Sequence, residues 1–320
     1  MEQITPWLLS GLGLVILLLA GDSLVRGAVN LSLRLGVPAL IVSLTIVAFG
    51  TSAPELLISI QAILDDAPGL ALGNVVGSNT ANVLLVLGVP ALLATMHTSE
   101  CETRKTYNFM ICASVLFIAL AFRGVFDWIA ACVLLFALLI VLGDAFREAH
   151  GHRKACANVT AEDEDVEGAD PDLPLWRILL FLALGLIGLP LGADLLVDNA
   201  TIIAKTYGVS DTVIGLTLVA IGTSLPELAT TTMAALRRQA DVAVGNVIGS
   251  NMFNLLAIIG VASLVGPISV DPEFLRVDLW VMLGASVLLV PFVYMRQDIT
   301  RLWGVLLTAL YAGYLALLLT

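Results

Sequence analysis

The chain has 320 residues, of which 59% are hydrophobic and 13% charged, and its mean hydropathy is +0.98. An average soluble domain carries roughly 25% charged residues. The composition therefore excludes an ordinary soluble protein and favours an all-α integral membrane protein.

Apolar runs recur along the whole chain, each long enough to cross a ~30 Å hydrocarbon core, which takes about 20 residues of helix. No Lys or Arg precedes the first run and no cleavage site follows it, so we expect it to remain in the mature protein. Ten spans are predicted, at about residues 8–33, 38–64, 70–96, 106–122, 125–146, 175–204, 209–236, 242–266, 275–295 and 300–319.

Lys and Arg residues in short loops are retained on the cytoplasmic side and therefore predict the orientation. With both termini outside, the outer loops hold Arg123, Lys205 and Arg276, while Arg26 lies within the first span. The inner loops then hold the other eleven basic residues: Arg34, Arg104, Lys105, Arg147, Arg153, Lys154, Arg177, Arg237, Arg238, Arg296 and Arg301.

The segment between the fifth and sixth spans, residues 150–173, is predicted to be a cytoplasmic linker that holds seven of the 26 acidic residues. A Ca2+-sensing segment is one interpretation, but the segment lacks the Gly and Glu spacing of an EF-hand loop. Blocks of like charge stay extended, which favours a solvated hinge. The four cysteines have no metal-ligand spacing and are interpreted as small core residues: Cys101, Cys112, Cys132 and Cys156.

The sequence repeats itself at an offset of 172 residues. Residues 37–56 and 209–228 share eleven identities in twenty, and residues 73–82 and 245–254 share seven in ten. Five predicted spans separate equivalent points, and because five is odd the second copy must enter the membrane in the opposite sense. Two inverted five-helix repeats with helices broken at the midplane are typical of secondary transporters. The predicted domains are a first repeat (1–149), the linker (150–173) and a second repeat (174–320).

Glu55 and Glu227 occupy equivalent positions inside apolar spans, where an ionised carboxylate costs at least ~2.5 kcal/mol. A buried pair with a basic residue is one interpretation. Arg26 is the basic residue within a span, however, and Asp22 lies four residues before it on the same helix. The two glutamates are therefore predicted to bind a cation.

Each glutamate follows a helix-breaking sequence, Gly50–Glu55 and Gly222–Glu227. The proline before each glutamate supplies no N–H and collides with the carbonyl four residues back. We expect this to free the Gly50 and Gly222 carbonyls and to tilt those of Ala48 and Ala220. Neighbouring hydroxyls share the helical face of each glutamate, so the predicted ligand set adds Thr51, Ser52, Thr223 and Ser224.

The third and eighth spans carry polar stripes with a four-residue spacing: Asn74, Ser78 and Asn82, and Asn246, Ser250 and Asn254. Helix packing through hydrogen bonds is a strong alternative to ion binding for Asn74 and Asn246. Gly73 with Gly77 and Gly245 with Gly249 follow the GxxxG pattern of closely packed membrane helices. All candidate ligands are oxygens, which disfavours transition metals and favours Ca2+ or Na+ over Mg2+.

The paired G-T-S-x-P-E and G-N-x-x-G-S-N-x-x-N segments resemble the α-repeats of the cation/Ca2+ exchanger superfamily, in its prokaryotic Na+/Ca2+ exchanger branch. The resemblance implies an electrogenic Na+/Ca2+ antiporter in the prokaryotic inner membrane, with Ca2+, Na+ and the bilayer as partners and no cofactor, nucleic acid or protein partner. It implies a Ca2+ site at Glu55, Glu227, Thr51 and Thr223. It also implies Na+ sites at the positions of Ala48, Ser52, Ser78, Ala220, Ser224 and Ser250.

Members of this family often have an acidic residue at the last position of one G-N segment, where this chain has Asn82 and Asn254. The difference argues against K+ co-transport. An H+/Ca2+ exchanger of the same fold is the nearest alternative, although that branch typically places Glu where this chain has Gly77 and Gly249. An intramembrane hydrolase would need a histidine near the site, yet all three histidines lie in predicted loops. A passive channel is disfavoured by the paired repeats.

Overall fold

The computed structural model describes residues 4–156, 170, 172–208 and 220–318, and these residues are mostly helical. The first half contains β1 (Val125–Phe126) and the helices α1 (Thr5–Leu35), α2 (Ala39–Thr51), α3 (Ala53–Leu64), α4 (Pro68–Leu93), α5 (Arg104–Ala121) and α6 (Trp128–Cys156). The second half contains β2 (Ile268–Ser269) and the helices α7 (Leu175–Thr206), α8 (Ala220–Gly222), α9 (Leu225–Leu236), α10 (Ala240–Val265), α11 (Pro272–Arg276), α12 (Asp278–Val287), α13 (Val290–Tyr294) and α14 (Arg301–Leu318).

Six helical segments among the described residues are long and apolar enough to cross a membrane, and α2 with α3 forms a seventh span bent by 41°. The chain is therefore an integral membrane protein. The expected spans at 106–122 and 300–319 correspond to α5 and α14. Part of the expected span at 209–236 lies outside the described residues, so the count of ten stays a prediction.

The expected helix breaks are confirmed at equivalent positions. Ser52 separates α2 from α3 with φ −84° and ψ 3°, and Ser224 precedes α9 with φ −91° and ψ 5°. Pro54 and Pro226 lie in the first turns of α3 and α9, where the missing N–H is tolerated. The glutamate that follows each proline therefore lies in the first turn of a new helix.

The described elements also match in length at the 172-residue offset. Helices α3 and α9 each have 12 residues. Helices α4 and α10 each contain a π-helical stretch, at Asn82–Val86 and Asn254–Ile258. The π-helical stretches were not expected from the sequence, because no local pattern distinguishes them from α-helix. They widen each helix next to a buried asparagine, as π-bulges frequently do at functional sites.

Helices α1 and α7 pack closely along each other through glycines. A Cβ atom on Gly13 would lie 2.7 Å from the Leu196 nitrogen, and one on Gly185 would lie 2.5 Å from the Leu24 Cβ. Helices α4 and α10 are more deeply buried than the other long helices described. They place the polar stripes in the centre of the protein.

The interpretation of the cysteines as core residues is wrong for Cys112 and Cys132, whose side chains are exposed. Both lie on apolar helix faces, and composition alone cannot tell a lipid-facing position from a buried one. Cys101 is partly buried, and the Cys156 side chain lies outside what the structure describes. Most of the acidic linker also lies outside the described residues, so both interpretations of the linker stay open.

The GxxxG expectation is confirmed for the second half. A Cβ atom added to Gly245 would lie 3.0 Å from the Leu40 carbonyl oxygen, and one added to Gly249 would lie 2.6 Å from the Leu44 carbonyl oxygen. Glycine therefore allows α10 to touch the α2 backbone. The equivalent partner of Gly73 and Gly77 would be residues 212–220, most of which lie outside the described residues.

Candidate cation-binding site

Glu55 and Glu227 are fully buried in the first turns of α3 and α9. The N-terminal end of a helix carries a partial positive charge that favours a nearby carboxylate. Neither glutamate forms an ion pair among the described residues, and Arg26 pairs instead with Asp22 at 3.0 Å, as expected. The described part of the chain thus has two buried carboxylates and no basic side chain that pairs with them.

Glu227 is partly satisfied by hydroxyl groups from both halves. Its Oε1 atom accepts hydrogen bonds from the Ser52 hydroxyl at 3.3 Å and from the Ser250 hydroxyl at 3.5 Å. Its Oε2 atom has no hydrogen-bond partner among the described residues. Ser52 belongs to the first half, so this contact joins the break of one half to the carboxylate of the other.

Glu55 has no such contacts. Neither carboxylate oxygen accepts a hydrogen bond from a described residue. The equivalents of Ser52 and Ser250 are Ser224 and Ser78, and their buried hydroxyls also lack a partner within the described part of the chain. A buried polar group without a partner costs about 1–3 kcal/mol, so this cluster of oxygens is suited to a ligand that supplies positive charge.

Thr51 is buried beside this cluster. Its hydroxyl lies 3.3 Å from the Ala48 carbonyl oxygen, 3.3 Å from Asn246 Oδ1 and 3.4 Å from Ser250 Oγ. The equivalent Thr223 is half-buried. Thr51 is thus held by contacts to both halves.

The Ala48 carbonyl accepts a backbone hydrogen bond from the Ser52 N–H at 3.0 Å. At the equivalent break, the Ser224 N–H instead bonds the Ile221 carbonyl at 3.0 Å, one residue closer in sequence than the Ala220 carbonyl. The two breaks therefore share backbone angles at the serine but differ in the carbonyl that the serine bonds. The sequence motif, which is nearly the same at both breaks, could not predict this difference.

Asn82 and Asn254 begin the two π-helical stretches and are fully buried. Asn82 donates from Nδ2 to Asn251 Oδ1 at 3.1 Å, and its Oδ1 has no partner among the described residues. Neither side-chain polar atom of Asn254 has a described partner. Both asparagines can therefore present an amide oxygen to a ligand.

Asn74 and Asn246 instead tie helices together, which supports the packing interpretation. Asn74 Nδ2 lies 3.3 Å from the Glu55 carbonyl oxygen and 3.2 Å from Ser59 Oγ. Asn246 Nδ2 lies 3.4 Å from the Glu227 carbonyl oxygen and 3.1 Å from Thr231 Oγ1. Each amide fixes the backbone of the glutamate helix rather than its carboxylate.

Sequence reasoning missed a third asparagine pair. Asn79 Nδ2 donates to the Asn251 carbonyl at 3.1 Å, and Asn251 Nδ2 donates to the Asn79 carbonyl at 3.4 Å. These reciprocal bonds join α4 to α10. The repeated G-S-N segment contained the signal, because Asn79 and Asn251 are equivalent residues.

The site thus combines two buried carboxylates with hydroxyl and amide oxygens from α2, α4 and α10 and from the breaks before α3 and α9. Among the described residues, no group of three or more His, Cys, Asp or Glu side chains could hold a metal ion. The oxygens near the two carboxylates are those of neutral hydroxyl and amide groups. Oxygen-only sites of this kind suit hard cations. The fold and these residues together describe a membrane protein with an oxygen-lined candidate cation site at its centre.

A sequence model of the family described as "sodium/calcium exchanger protein" matches residues 5–144 and 177–320. The chain belongs to this sodium/calcium exchanger family of the cation/Ca2+ exchanger superfamily, and is of the prokaryotic type. Among its relatives, sodium/calcium exchanger MaX1 of Methanosarcina acetivorans is 33% identical over 96% of each chain. Inner membrane protein YrbG of Escherichia coli is 35% identical over 96% of this chain and 94% of its own.

The fold is also similar to that of a solved structure from the same family. The sodium-calcium exchanger NCX_Mj, soaked with Na+ and Sr2+, superposes with a TM-score of 0.82 at 33% identity, covering 98% of both chains. The putative antiporter CaxA of Alkalimonas amylolytica is 34% identical over 96% of each chain. Relatives named as exchangers or antiporters are transporters and not enzymes, and the family assigns this chain to cation/Ca2+ antiport.

Proposed function

We propose that the protein exchanges Na+ for Ca2+ by alternating access, without K+ and with net movement of charge. The observation that carries this proposal is the pair of fully buried glutamates. Among the described residues they have no basic partner, and three of their four carboxylate oxygens have no hydrogen-bond partner. Two carboxylates balance one Ca2+, so the Ca2+-loaded site is nearly neutral. Three Na+ ions in its place leave one surplus positive charge.

The proposed ligands of Ca2+ are Glu55, Glu227, Thr51 and Thr223. The proposed Na+ ligands add Ser52, Ser78, Ser224, Ser250 and the carbonyls of Ala48 and Ala220, with Asn82 and Asn254 completing the site. Support comes from the burial of the described side chains, of which Thr223 alone is only half-buried. It also comes from the oxygens of Ser78, Ser224, Asn82 and Asn254 that have no hydrogen-bond partner among the described residues. Neutral asparagines at positions 82 and 254 provide no third negative charge for a K+ ion.

The proposed architecture is ten spans in two inverted repeats, residues 1–149 and 174–320, joined by the linker 150–173 on the cytoplasmic side, with both termini outside. It is supported by the equivalent breaks at Ser52 and Ser224 and by the equivalent π-helical stretches. In such transporters, one repeat rocks against the other around a site near the midplane. Exchanging the conformations of the two repeats then converts one facing state into the other.

The test is uptake of radiolabelled Ca2+ into proteoliposomes that contain the purified protein. An outward Na+ gradient is expected to drive uptake, whereas a pH gradient alone is not. Empty liposomes and a gradient of choline in place of Na+ serve as controls. Uptake driven equally well by the pH gradient without Na+ would contradict the proposal and favour H+/Ca2+ exchange.

A further inference from the structure

An ion-pair cluster lies at the contact between α1 and α9, away from the cation site. The Arg237 guanidinium contacts Asp22 Oδ1 at 2.5 Å through both Nε and a terminal nitrogen. Arg26 contacts Asp22 Oδ2 at 3.0 Å. The Asp22 and Arg237 side chains are only 19% and 15% exposed, whereas the Arg26 side chain is 44% exposed. Asp22 therefore contacts two guanidinium groups, and its contact with Arg237 is the one that solvent screens least.

The contact between these helices is also close at the backbone. A Cβ atom on Gly21 would lie 3.0 Å from the carbonyl carbon and oxygen of Ala229. Ala229 is only 7% exposed beneath α1. The glycine and the ion pair on successive residues of α1 thus dock this helix directly onto α9, whose first turn carries Glu227.

The equivalent residues of the other half have the opposite character. At the 172-residue offset, Asp22 corresponds to Asp194, Arg26 to Asp198 and Arg237 to Asp65. One half thus has a carboxylate between two guanidinium groups, and the other half has three carboxylates at the equivalent positions. Gly21 and Ala229 correspond to Ala193 and Leu57, which are bulkier.

The equivalent docking of α7 onto α3 is not formed in this structure. Leu57 on α3 is 69% exposed, whereas its equivalent Ala229 is covered by α1. Asp65 is exposed at the end of α3, where its carboxylate accepts a hydrogen bond from Gln61 at 2.9 Å. The structure therefore shows α1 docked onto α9 but not α7 docked onto α3. At the α7–α3 pair, carboxylates occupy the positions equivalent to Arg26 and Arg237.

We propose that the Asp22–Arg237 pair is a latch that sets the balance between the two facing states. This inference rests on the proposed alternating access between inverted repeats. Exchanging the repeat conformations would separate α1 from α9 and bring α7 onto α3, where Asp194 would approach Asp65. Attraction between Asp22 and Arg237 stabilises the observed state, and repulsion between Asp194 and Asp65 destabilises the opposite one. Both effects favour the observed state. Asp22 and Arg237 act through helix position and do not touch the transported ions.

The test uses the full-length protein with Arg237→Gln, which removes the latch, and Asp65→Arg, which supplies the missing basic partner on the opposite docking. Both substitutions are expected to move the population toward the opposite facing state. Arg238→Gln is the matched control, because Arg238 is exposed and makes no ion pair among the described residues. Asp65 lies at an exposed helix end, where a substitution is expected to be compatible with folding. Asp65→Arg can therefore test the proposal even if Arg237→Gln does not fold.

The first readout is the half-saturating Ca2+ concentration for exchange on each face of oriented proteoliposomes. Apparent affinity scales with the fraction of protein that faces the ion, so the two faces are expected to change in opposite directions. The ratio of the two concentrations should shift about tenfold, within the usual range of coupling between sites. A general loss of stability would weaken both faces alike. An unchanged ratio, or a parallel change on both faces, would overturn the latch.

The second readout does not require transport. Spin labels at Leu64→Cys on α3 and Ile202→Cys on α7, in a cysteine-replaced background, measure the approach of these helices in ion-free protein. A shorter distance should gain population in Arg237→Gln and Asp65→Arg but not in Arg238→Gln, and identical distributions would overturn the proposal. A parent protein that does not exchange Ca2+ would instead refute the proposed function, while the distances would still report on the docking.

Discussion

The two halves place the same glutamate after the same helix break, yet the two carboxylates have different surroundings. Glu227 accepts hydrogen bonds from Ser52 and Ser250, whereas Glu55 accepts none from a described residue. The equivalent serines, Ser224 and Ser78, have hydroxyls without a hydrogen-bond partner in the described part of the chain. The repeated sequence therefore determines which residues surround the two carboxylates. The conformation of each half determines which serines donate hydrogen bonds to them.

The largest expected effect comes from removing either carboxylate. We predict that Glu55→Gln and Glu227→Gln each reduce Na+-driven Ca2+ uptake at least about 100-fold, because one lost charge leaves Ca2+ undercompensated where electrostatic interactions are weakly screened. Uptake of radiolabelled Ca2+ into proteoliposomes measures the effect. Glu148→Gln is the control, because Glu148 pairs with Lys105 in a partly exposed position.

The comparison would break down if one glutamate could be replaced without loss. A variant of Glu55 that retained nearly the parental rate would show that its unpartnered oxygens have no part in transport. The site would then consist of Glu227 and its serines alone.

The opposite orientation of the halves can be tested at two equivalent loop positions. Asp66 and Arg238 follow α3 and α9 and share a left-handed backbone, with φ 56° and 57°. In a background without other cysteines, we predict that Asp66→Cys reacts with an impermeant thiol reagent in intact cells and that Arg238→Cys reacts only in inverted vesicles.

A variant that retains Cys156 alone supplies the control, since the linker is expected on the same side as Arg238. Labelling of Asp66→Cys and Arg238→Cys from the same side would refute the inverted repeats.

A smaller effect is expected from the serines at the breaks. In protein freed of Na+ and Ca2+, we predict that Ser52→Ala lowers stability by about 1 kcal/mol, because a hydrogen bond to Glu227 is lost. Ser224→Ala should leave stability unchanged or slightly raised, because it removes a buried hydroxyl without a described partner. Thermal unfolding in detergent measures both. Equal losses from the two variants would mean that the asymmetry of the glutamates is absent in solution.

Much of this site could be predicted from the repeat. The offset of 172 residues located both glutamates, both breaks and the asparagines at positions 74, 82, 246 and 254, but the Asn79–Asn251 pair was missed. The sequence could not predict that Ser52 rather than Ser224 bonds a glutamate, because the two repeats have the same residues at these positions. Arg237 lies in the turn after α9, as expected, but its pairing with Asp22 could not be predicted. The two residues are 215 positions apart, and no local pattern connects them.

The sequence also could not distinguish lipid-facing residues from buried ones. Cys112 and Cys132 lie in apolar helices whose buried and lipid-facing sides are equally hydrophobic, so burial could not be deduced from composition. The π-helical stretches at Asn82 and Asn254 depend on tertiary packing around the site and have no signature in a short apolar segment.

The most direct test of two-carboxylate Na+/Ca2+ exchange is the voltage dependence of its balance point. In proteoliposomes with a fixed Na+ gradient, the Ca2+ gradient at zero net flux is measured while the potential is clamped by an ionophore and a permeant ion other than K+. One elementary charge is worth about 2.3 kcal/mol per 100 mV, so the balanced Ca2+ ratio should change tenfold for roughly 60 mV, with or without K+. A balance point that ignores voltage, or uptake that requires K+, would contradict the account.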